Sequence, residues 1–443
     1  MEREIVIAAL GPDDGSLLTL GALEAMRSAE RLVLRTERHA AADFLRREGV
    51  AFDTLDALYG ESEDFEELAE AACARLLSEA GKARLCYAVS EPSSDQTVLQ
   101  LAKRLPEGWT MTVNAGVSLA ENAACAALCA GVDTENLRRI TALSLEGFRP
   151  QADAPLAVTE IDGRTLASEV KLWLSDLYDD ETTVYFLENA AEAHCRAVAI
   201  PLYALDRQAH YDHRTAVVIP AVPYMQRQRA TYEDLVQVVG RLRGPGGCPW
   251  DREQTFSTLR RYMIEEACEA ADAMDGGAPE KIADELGDVL LQVVLNSRIG
   301  AEHRAFTDRD VTTAITRKMI ARHPHVFGDV HVDSAGEVRG VWEEAKAKER
   351  GRQSAKERMA EVPEALPGLM RAQKVCKRQL QASGRAIDAG QQTEAALRRL
   401  REGIRTEQDL GEALEEICLL AEALGLDAET ALQAATARRI EKA

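Results

Sequence analysis

The chain changes texture once, and the change demands two architectures. Residues 1–225 alternate short β-rich runs with Ala- and Leu-rich helical stretches. The segments 5–10, 31–34, 84–89, 111–113, 154–158 and 182–187 read as strands. Strands separated by helices imply an α/β domain. From 231 to 443 no run reads as a strand, and Glu, Ala, Leu, Lys and Arg dominate. The boundary lies near 220–230, after Ile219-Pro220-Ala221-Val222-Pro223. A second break falls near 350–367, where Pro363 and Pro367 follow a charged stretch. The reading is three domains: 1–225 α/β, 231–350 all-α, and 364–443 a further helical unit.

Within the helical part, the periodicity predicts a helix over 281–299. At about 100° per residue, Glu285, Asp288, Gln292 and Asn296 share one narrow stripe. Leu286, Val289, Leu290, Leu291, Val293, Val294 and Leu295 cover the rest. A helix apolar almost all round is expected to be buried, and a buried carboxylate must be paired, neutralised or metal-bound. The alternative, a solvated acidic face, requires a broad polar surface that this pattern lacks. A second helix is expected over about 256–274, with Leu259, Met263, Ala267, Ala270 and Met274 on its apolar side. There Glu266 and Glu269 are i,i+3 neighbours, and Glu265 faces a slightly different direction. The Asp-Gly-Gly-Ala-Pro break at 275–279 makes the pair an antiparallel hairpin with acids on both arms.

Four carboxylates converging in a helical bundle are a way to build a metal site. Oxygen-only ligands favour Mg²⁺, with Mn²⁺ as the substitute, over Zn²⁺. Spacing alone does not establish this. Asp and Glu make up 74 of 443 residues, so such an arrangement is expected about once by chance in a chain of this composition.

The remaining composition sets bounds. Residues 1–4 lead directly into a short apolar strand with no signal pattern, and no apolar run reaches membrane-spanning length. Nine cysteines lack paired metal spacing. Cys125 and Cys129, i,i+4 on an Ala-rich helix, are expected in the core. Reduced thiols and a cytoplasmic setting follow. A net charge of −21 with pI near 5.0 argues against a nucleic-acid partner, but not against a nucleotide held through a metal.

Residues 412–440 echo 285–320. Glu412 and Glu415 fall where Glu285 and Asp288 stand in the first copy. The stretch matching the other acidic helix, 393–400, carries Arg398 and Arg399 where acids are needed. Such a copy is expected to be structural. That both are merely Ala/Leu/Glu helices is the alternative.

The stretch 241–328 resembles the MazG family of nucleoside triphosphate pyrophosphohydrolases. The likeness runs through Gly247-Cys248-Pro249-Trp250-Asp251, Gln254-Thr255, Tyr262 to Glu269, Glu285-Leu286-Gly287-Asp288 to Gln292, and Arg322-His323-Pro324-His325-Val326-Phe327-Gly328. It continues in Val341-Trp342-Glu343-Glu344-Ala345-Lys346. Residues 366–443 look like the second repeat of two-repeat members.

The N-terminal half resembles the tetrapyrrole (corrin/porphyrin) methylase fold, through Leu10-Gly11-Pro12-Asp13-Asp14, Leu17 to Leu20, and Gly116-Val117-Ser118. Gly11, Pro12, Gly116 and Ser118 are its candidate cofactor-binding residues. Asp13 stands where that family has Gly, and Val89-Ser90-Glu91-Pro92 lacks a loop Gly. Glycine permits close backbone approach to a ligand, so these departures count against S-adenosylmethionine binding and methyl transfer.

The resemblance implies conversion of an NTP or dNTP to the monophosphate and pyrophosphate. Glu266, Glu269, Glu285 and Asp288 would hold Mg²⁺, and a bound water would attack the α-phosphorus. Glu265, Glu266 and Glu269 are the catalytic candidates, Glu265 as general base or outer-shell group, or else a salt-bridged surface residue. Lys318 and Arg322, i,i+4, present two charges suited to phosphate oxygens. Trp342 and Lys346 add a stacking surface and another charge. Arg317 and His323 stand behind these, His325 and His331 show no metal pattern, and Trp250 is assigned a structural role. A homodimer is expected, because a helical hairpin is too thin to bury its own core. The competing reading is an S-adenosylmethionine-dependent methyltransferase whose helical part drives dimerisation or regulation.

Overall fold

The computed structural model describes residues 3–62, 64–332, 334–350, 354–384 and 388–442. The chain forms two compact units, Met1–Ile299 and Gly300–Ala443.

The first unit begins with five parallel strands: β1 (Arg3–Ala9), β2 (Arg31–Leu34), β3 (Asp53–Thr54), β4 (Leu85–Val89) and β5 (Trp109–Asn114). Their order is β3-β2-β4-β1-β5. Ile5 and Ile7 of β1 pack with Tyr87 and Val89 of β4 on one side of the sheet. Val6 and Ala8 pack with Cys86 and Ala88 on the other. This alternation is the pleat's period of two. Both faces are covered, so these strands read as unbroken apolar runs. The crossover after β1 leads to β2 and that after β4 leads to β5, in opposite directions across the sheet. The carboxyl ends of β1 and β4 therefore flank a switch point, the place where open α/β sheets form ligand crevices.

A second, mixed sheet follows. Its strands β6 (Arg138–Thr141), β7 (Leu156–Thr159), β8 (Thr183–Leu187), β9 (Val198–Pro201) and β10 (Ala216–Ile219) lie in the order β6-β7-β10-β8-β9. Only β6 and β7 pair in parallel. The sequence reading found the α/β class and six of these ten strands. It missed β3, β6, β9 and β10, the last being the centre of the second sheet.

Past β10 the unit becomes helical. Arg227 and Asp234 form an ion pair with side chains only 6% and 3% exposed. Arg227 also donates to the Val222 carbonyl at 2.7 Å, and Asp234 closes a capping box with Thr231. A small core gathers Val239, Leu259, Val294, Leu295 and Ile299, with Tyr262 and Leu291 against it.

The second unit is helical throughout its described residues. Helices Asp308–Arg322 and Ala335–Arg350 come first. Gly368–Ser383, Ala389–Arg401, Glu407–Leu424 and Ala428–Ile440 follow, with Cys376, Cys418, Ala421 and Ala428 buried together. Among the described residues no helix is long and apolar enough to cross a membrane.

Candidate active site

The two acidic helices are Phe256–Gly276 and Pro279–Glu302, each a few residues longer than expected. A Thr255–Thr258 capping box starts the first. Gly277, in the left-handed region at φ 71°, ends it, so the break is shorter than 275–279. Leu259 shares a core cluster with Val294, Leu295 and Ile299, whereas Glu266 meets Glu285 and Asp288 nearer the turn. The helices therefore run antiparallel.

One oxygen from each of Glu266, Glu285 and Asp288 lies within 4.8 Å of the others. Glu266 and Glu285 are half-buried and Asp288 is exposed. None of the three forms an ion pair with a protein cation among the described residues. The Glu266 carboxyl is held above the ordinary carboxylate range, by desolvation first and then by the charges of Asp288, Glu269, Glu265 and Glu285. Desolvation and the charge of Glu269 likewise raise Glu285, while Lys281, one turn earlier, pulls it back. Lys281 was missed by the sequence reading, although its i,i+4 spacing to Glu285 was visible. Glu269 is exposed and outside the close trio, but its charge reaches both half-buried carboxyls. Glu265 is exposed and lies 3.8 Å from Arg261, i,i+4 on the same helix.

The geometry fits a divalent cation. Three carboxylates in mutual reach, none ion-paired to Lys or Arg among the described residues, form an all-oxygen donor set in which Glu266 and Glu285 have raised proton affinity. Further along the second helix Gln292 is buried at 6% exposure, and its Oε1 finds no donor.

The helices are less buried than their sequence pattern suggests. Leu286 is 43% exposed and Leu290 39%, and Ile264 and Met274 are also exposed. Leu259 and Ala270 are buried as expected, but Ala267 is exposed. Among the described residues the hairpin thus keeps apolar side chains exposed on both of its helices.

In the second unit, Arg322 and Lys346 both lie over the Trp342 ring, 5.6 and 4.9 Å from its centroid. Lys318 is half-buried one turn before Arg322, and Arg317 is exposed. His323 sits 2.7 Å from the Met319 carbonyl. Trp250 lies in the short helix Pro249–Glu253 with its ring 64% exposed, so it is no packing anchor within the chain. Cys125 and Cys129 are exposed rather than core. Their helix, Leu119–Cys129, turns Ala120, Ala123 and Ala127 inward instead.

At the N-terminal loops, Gly11 has φ 70° and Asp13 fills the turn with its own carboxylate. Asp13 accepts from the Asp14 backbone at 2.6 Å, the Ser16 hydroxyl at 2.6 Å and the Ala193 backbone at 3.3 Å. A Cβ at Gly116 would stand 2.6 Å from that of Ala9, so Gly116 is needed for packing. Ser118 caps its helix by accepting from the Glu121 backbone at 3.1 Å.

Comparison with known proteins follows this division. The MazG nucleotide pyrophosphohydrolase domain matches residues 254–327, which contain the acidic hairpin. Tetrapyrrole (corrin/porphyrin) methylases match residues 4–206. The nucleoside triphosphate pyrophosphohydrolase/pyrophosphatase MazG of Thermotoga maritima is 36% identical over 224 residues, 49% of this chain and 86% of that protein. The chain belongs to the MazG family. A second MazG relative, the nucleoside triphosphate pyrophosphohydrolase of Escherichia coli (strain K12), is 36% identical over 213 residues, 45% of this chain and 81% of that protein. YabN, an uncharacterized protein of Bacillus subtilis (strain 168), is a longer-matching relative. It is 31% identical over 378 residues, 85% of this chain and 77% of that protein. The two sheets are thus a methylase-type α/β domain preceding the MazG helices.

Proposed function

We propose that this chain hydrolyses nucleoside triphosphates to nucleoside monophosphate and pyrophosphate, using the MazG hairpin. The observation that carries the reading is the convergence of Glu266, Glu285 and Asp288, none of them in an ion pair among the described residues. The names of the MazG relatives point the same way. Glu266, Glu285 and Asp288, with Glu269 beside them, would hold Mg²⁺ or Mn²⁺. When bound, such an ion neutralises triphosphate charge and lowers the pKa of a coordinated water.

The chain's own groups do the rest. Glu265 and Glu269 are exposed carboxylates outside the close trio, and either can accept the proton of an attacking water. Arg261 lies 3.8 Å from Glu265, one turn away on the same helix. Lys318, Arg322 and Lys346 offer cations to phosphate oxygens, and Trp342 offers a face to a base. We assign these four to substrate binding.

We also propose that a second copy of the chain covers the hairpin where Ile264, Leu286 and Leu290 are exposed. The filling of the first N-terminal loop by Asp13 supports the view that the methylase-like domain does not take S-adenosylmethionine, and it weighs against the methyltransferase reading. The 364–443 helices are proposed as a second, non-catalytic MazG-like repeat.

Hydrolysis in ¹⁸O-water tests the bond assignment. Label should appear in the monophosphate, as attack at the α-phosphorus requires. Label in orthophosphate, with diphosphate as co-product, would show a different hydrolase.

A further inference from the structure

A cavity of about 980 Å³ lies in the methylase-like domain, within the range of small-molecule sites. It is bordered by Glu91, Ser93 and Ser94, which follow β4 at the switch point of the first sheet, and by residues 137–151, which include β6. In a chain of net charge −21, three arginines on its lining are a local reversal of sign. Arg138 is already neutralised: it pairs with Asp153 at 2.8 Å and donates to Gln151. Arg139 and Arg149 form no ion pair among the described residues. The charge of Arg139 reaches the half-buried Glu91, whose carboxyl burial pushes up and Arg139 draws down.

The same lining holds aromatic surface. Trp173 donates through Nε1 to the Phe148 carbonyl at 2.9 Å, which fixes the indole at the cavity wall. The Phe148 ring itself is 63% exposed. Nearby, the Thr141 hydroxyl bonds Ser144 at 3.0 Å. Just past Thr159, another lining residue, Glu160 holds φ 62°. A non-glycine residue there stores backbone strain, which concentrates at ligand sites.

We propose that this cavity is a nucleotide-binding site, with phosphate on Arg139 and Arg149 and the base against Trp173 and Phe148. Guanidinium forks match phosphate oxygens bidentately, and flat aromatic faces stack bases of any sequence. Both unpaired cations come from one segment, 137–151. That one-sided charge suits a molecule with its anionic groups at one end. A macrocycle ringed by carboxylates would need cations distributed around the cavity. The segment 91–94 contributes a carboxyl and two hydroxyls instead, groups suited to a base or sugar edge. The site is separate from the acidic hairpin and does not depend on a metal.

The test is calorimetric titration of the full chain with adenosine monophosphate and adenosine triphosphate in EDTA, which silences any metal-dependent site. Expected are one equivalent bound per chain, at least tenfold weaker binding in Arg139→Ala/Arg149→Ala, and unchanged binding in Glu285→Gln. Should the double variant fail to fold, hydrogen exchange on the wild type decides: adenosine monophosphate should slow exchange across 137–151. Absence of heat together with absence of slowed exchange would overturn the proposal. So would binding that survives the double substitution, or a response only to a porphyrin polycarboxylate.

Discussion

Arg399 is ion-paired to Glu412, the residue that the proposed second repeat sets against Glu285, which forms no ion pair among the described residues. Arg399 also reaches Asp409 at 3.5 Å and Glu402 at 3.3 Å. If 364–443 is the proposed second repeat, its Glu412 is held by an ion pair that Glu285 lacks among the described residues. Glu412→Gln should leave hydrolysis within about twofold of wild type. It should cost no more than about 1 kcal/mol of stability, as expected of an exposed pair. Turnover and urea denaturation of the variant check both.

Metal binding should appear as stability. Glu266 and Glu285 have raised proton affinity in the folded chain. A carboxyl whose folded pKa exceeds its unfolded value is destabilising once ionised. Metal-free stability should therefore fall as pH rises above the unfolded Glu value of about 4.3. Mg²⁺ should reverse this, by about 2.7 kcal/mol at a hundredfold excess over Kd. Melting in EDTA and in Mg²⁺, at pH 4 and pH 7, should show the larger Mg²⁺ effect at pH 7.

The Arg227–Asp234 pair makes an opposite prediction. Burial alone would raise the Asp234 carboxyl. Hydrogen bonds from Thr231 and Arg227 outweigh it and hold the group below the ordinary range. Its contribution is present above about pH 3.9 and disappears as pH falls through the lower folded value. Asp234→Asn leaves Arg227 buried without its counter-charge and should cost about 3–5 kcal/mol at pH 7, with the loss narrowing in acid. Urea midpoints at pH 7 and pH 3 measure it.

Trp342, flanked by Arg322 and Lys346, should act on binding rather than chemistry. Trp342→Ala should raise KM by the equivalent of about 1–3 kcal/mol, the range for base stacking, with kcat nearly held. A fall in kcat at constant KM would remove Trp342 from the binding surface.

What the sequence disclosed follows from how each element is buried. β1 and β4 are covered on both faces and read as apolar runs, so they were legible. β6 carries Arg138 and Arg139 toward solvent, β9 is an edge strand ending at Pro201, and β3 has two residues; none has a pattern to find. β10 is fully buried, but its four residues run into Pro220 and Pro223 and looked like linker. The spacing of Glu266, Glu285 and Asp288 was visible because helices impose a fixed period. Their degree of burial was not, because it depends on what covers Leu286 and Leu290. Arg139, Arg149 and Trp173 come from a strand, a loop and a helix, so only the folded chain places them on one cavity.

The most direct test of the account is pyrophosphate release from an NTP and dNTP panel, measured alongside Mg²⁺ binding, for wild type, Glu266→Gln and Glu285→Gln. The wild type should release pyrophosphate with Mg²⁺ and stop in EDTA. Each variant should lose more than the roughly 10–100-fold that removal of an outer-shell partner costs, in parallel with weakened Mg²⁺ binding. Equal rates and equal Mg²⁺ affinity in all three proteins would contradict the assignment of the active site to this hairpin.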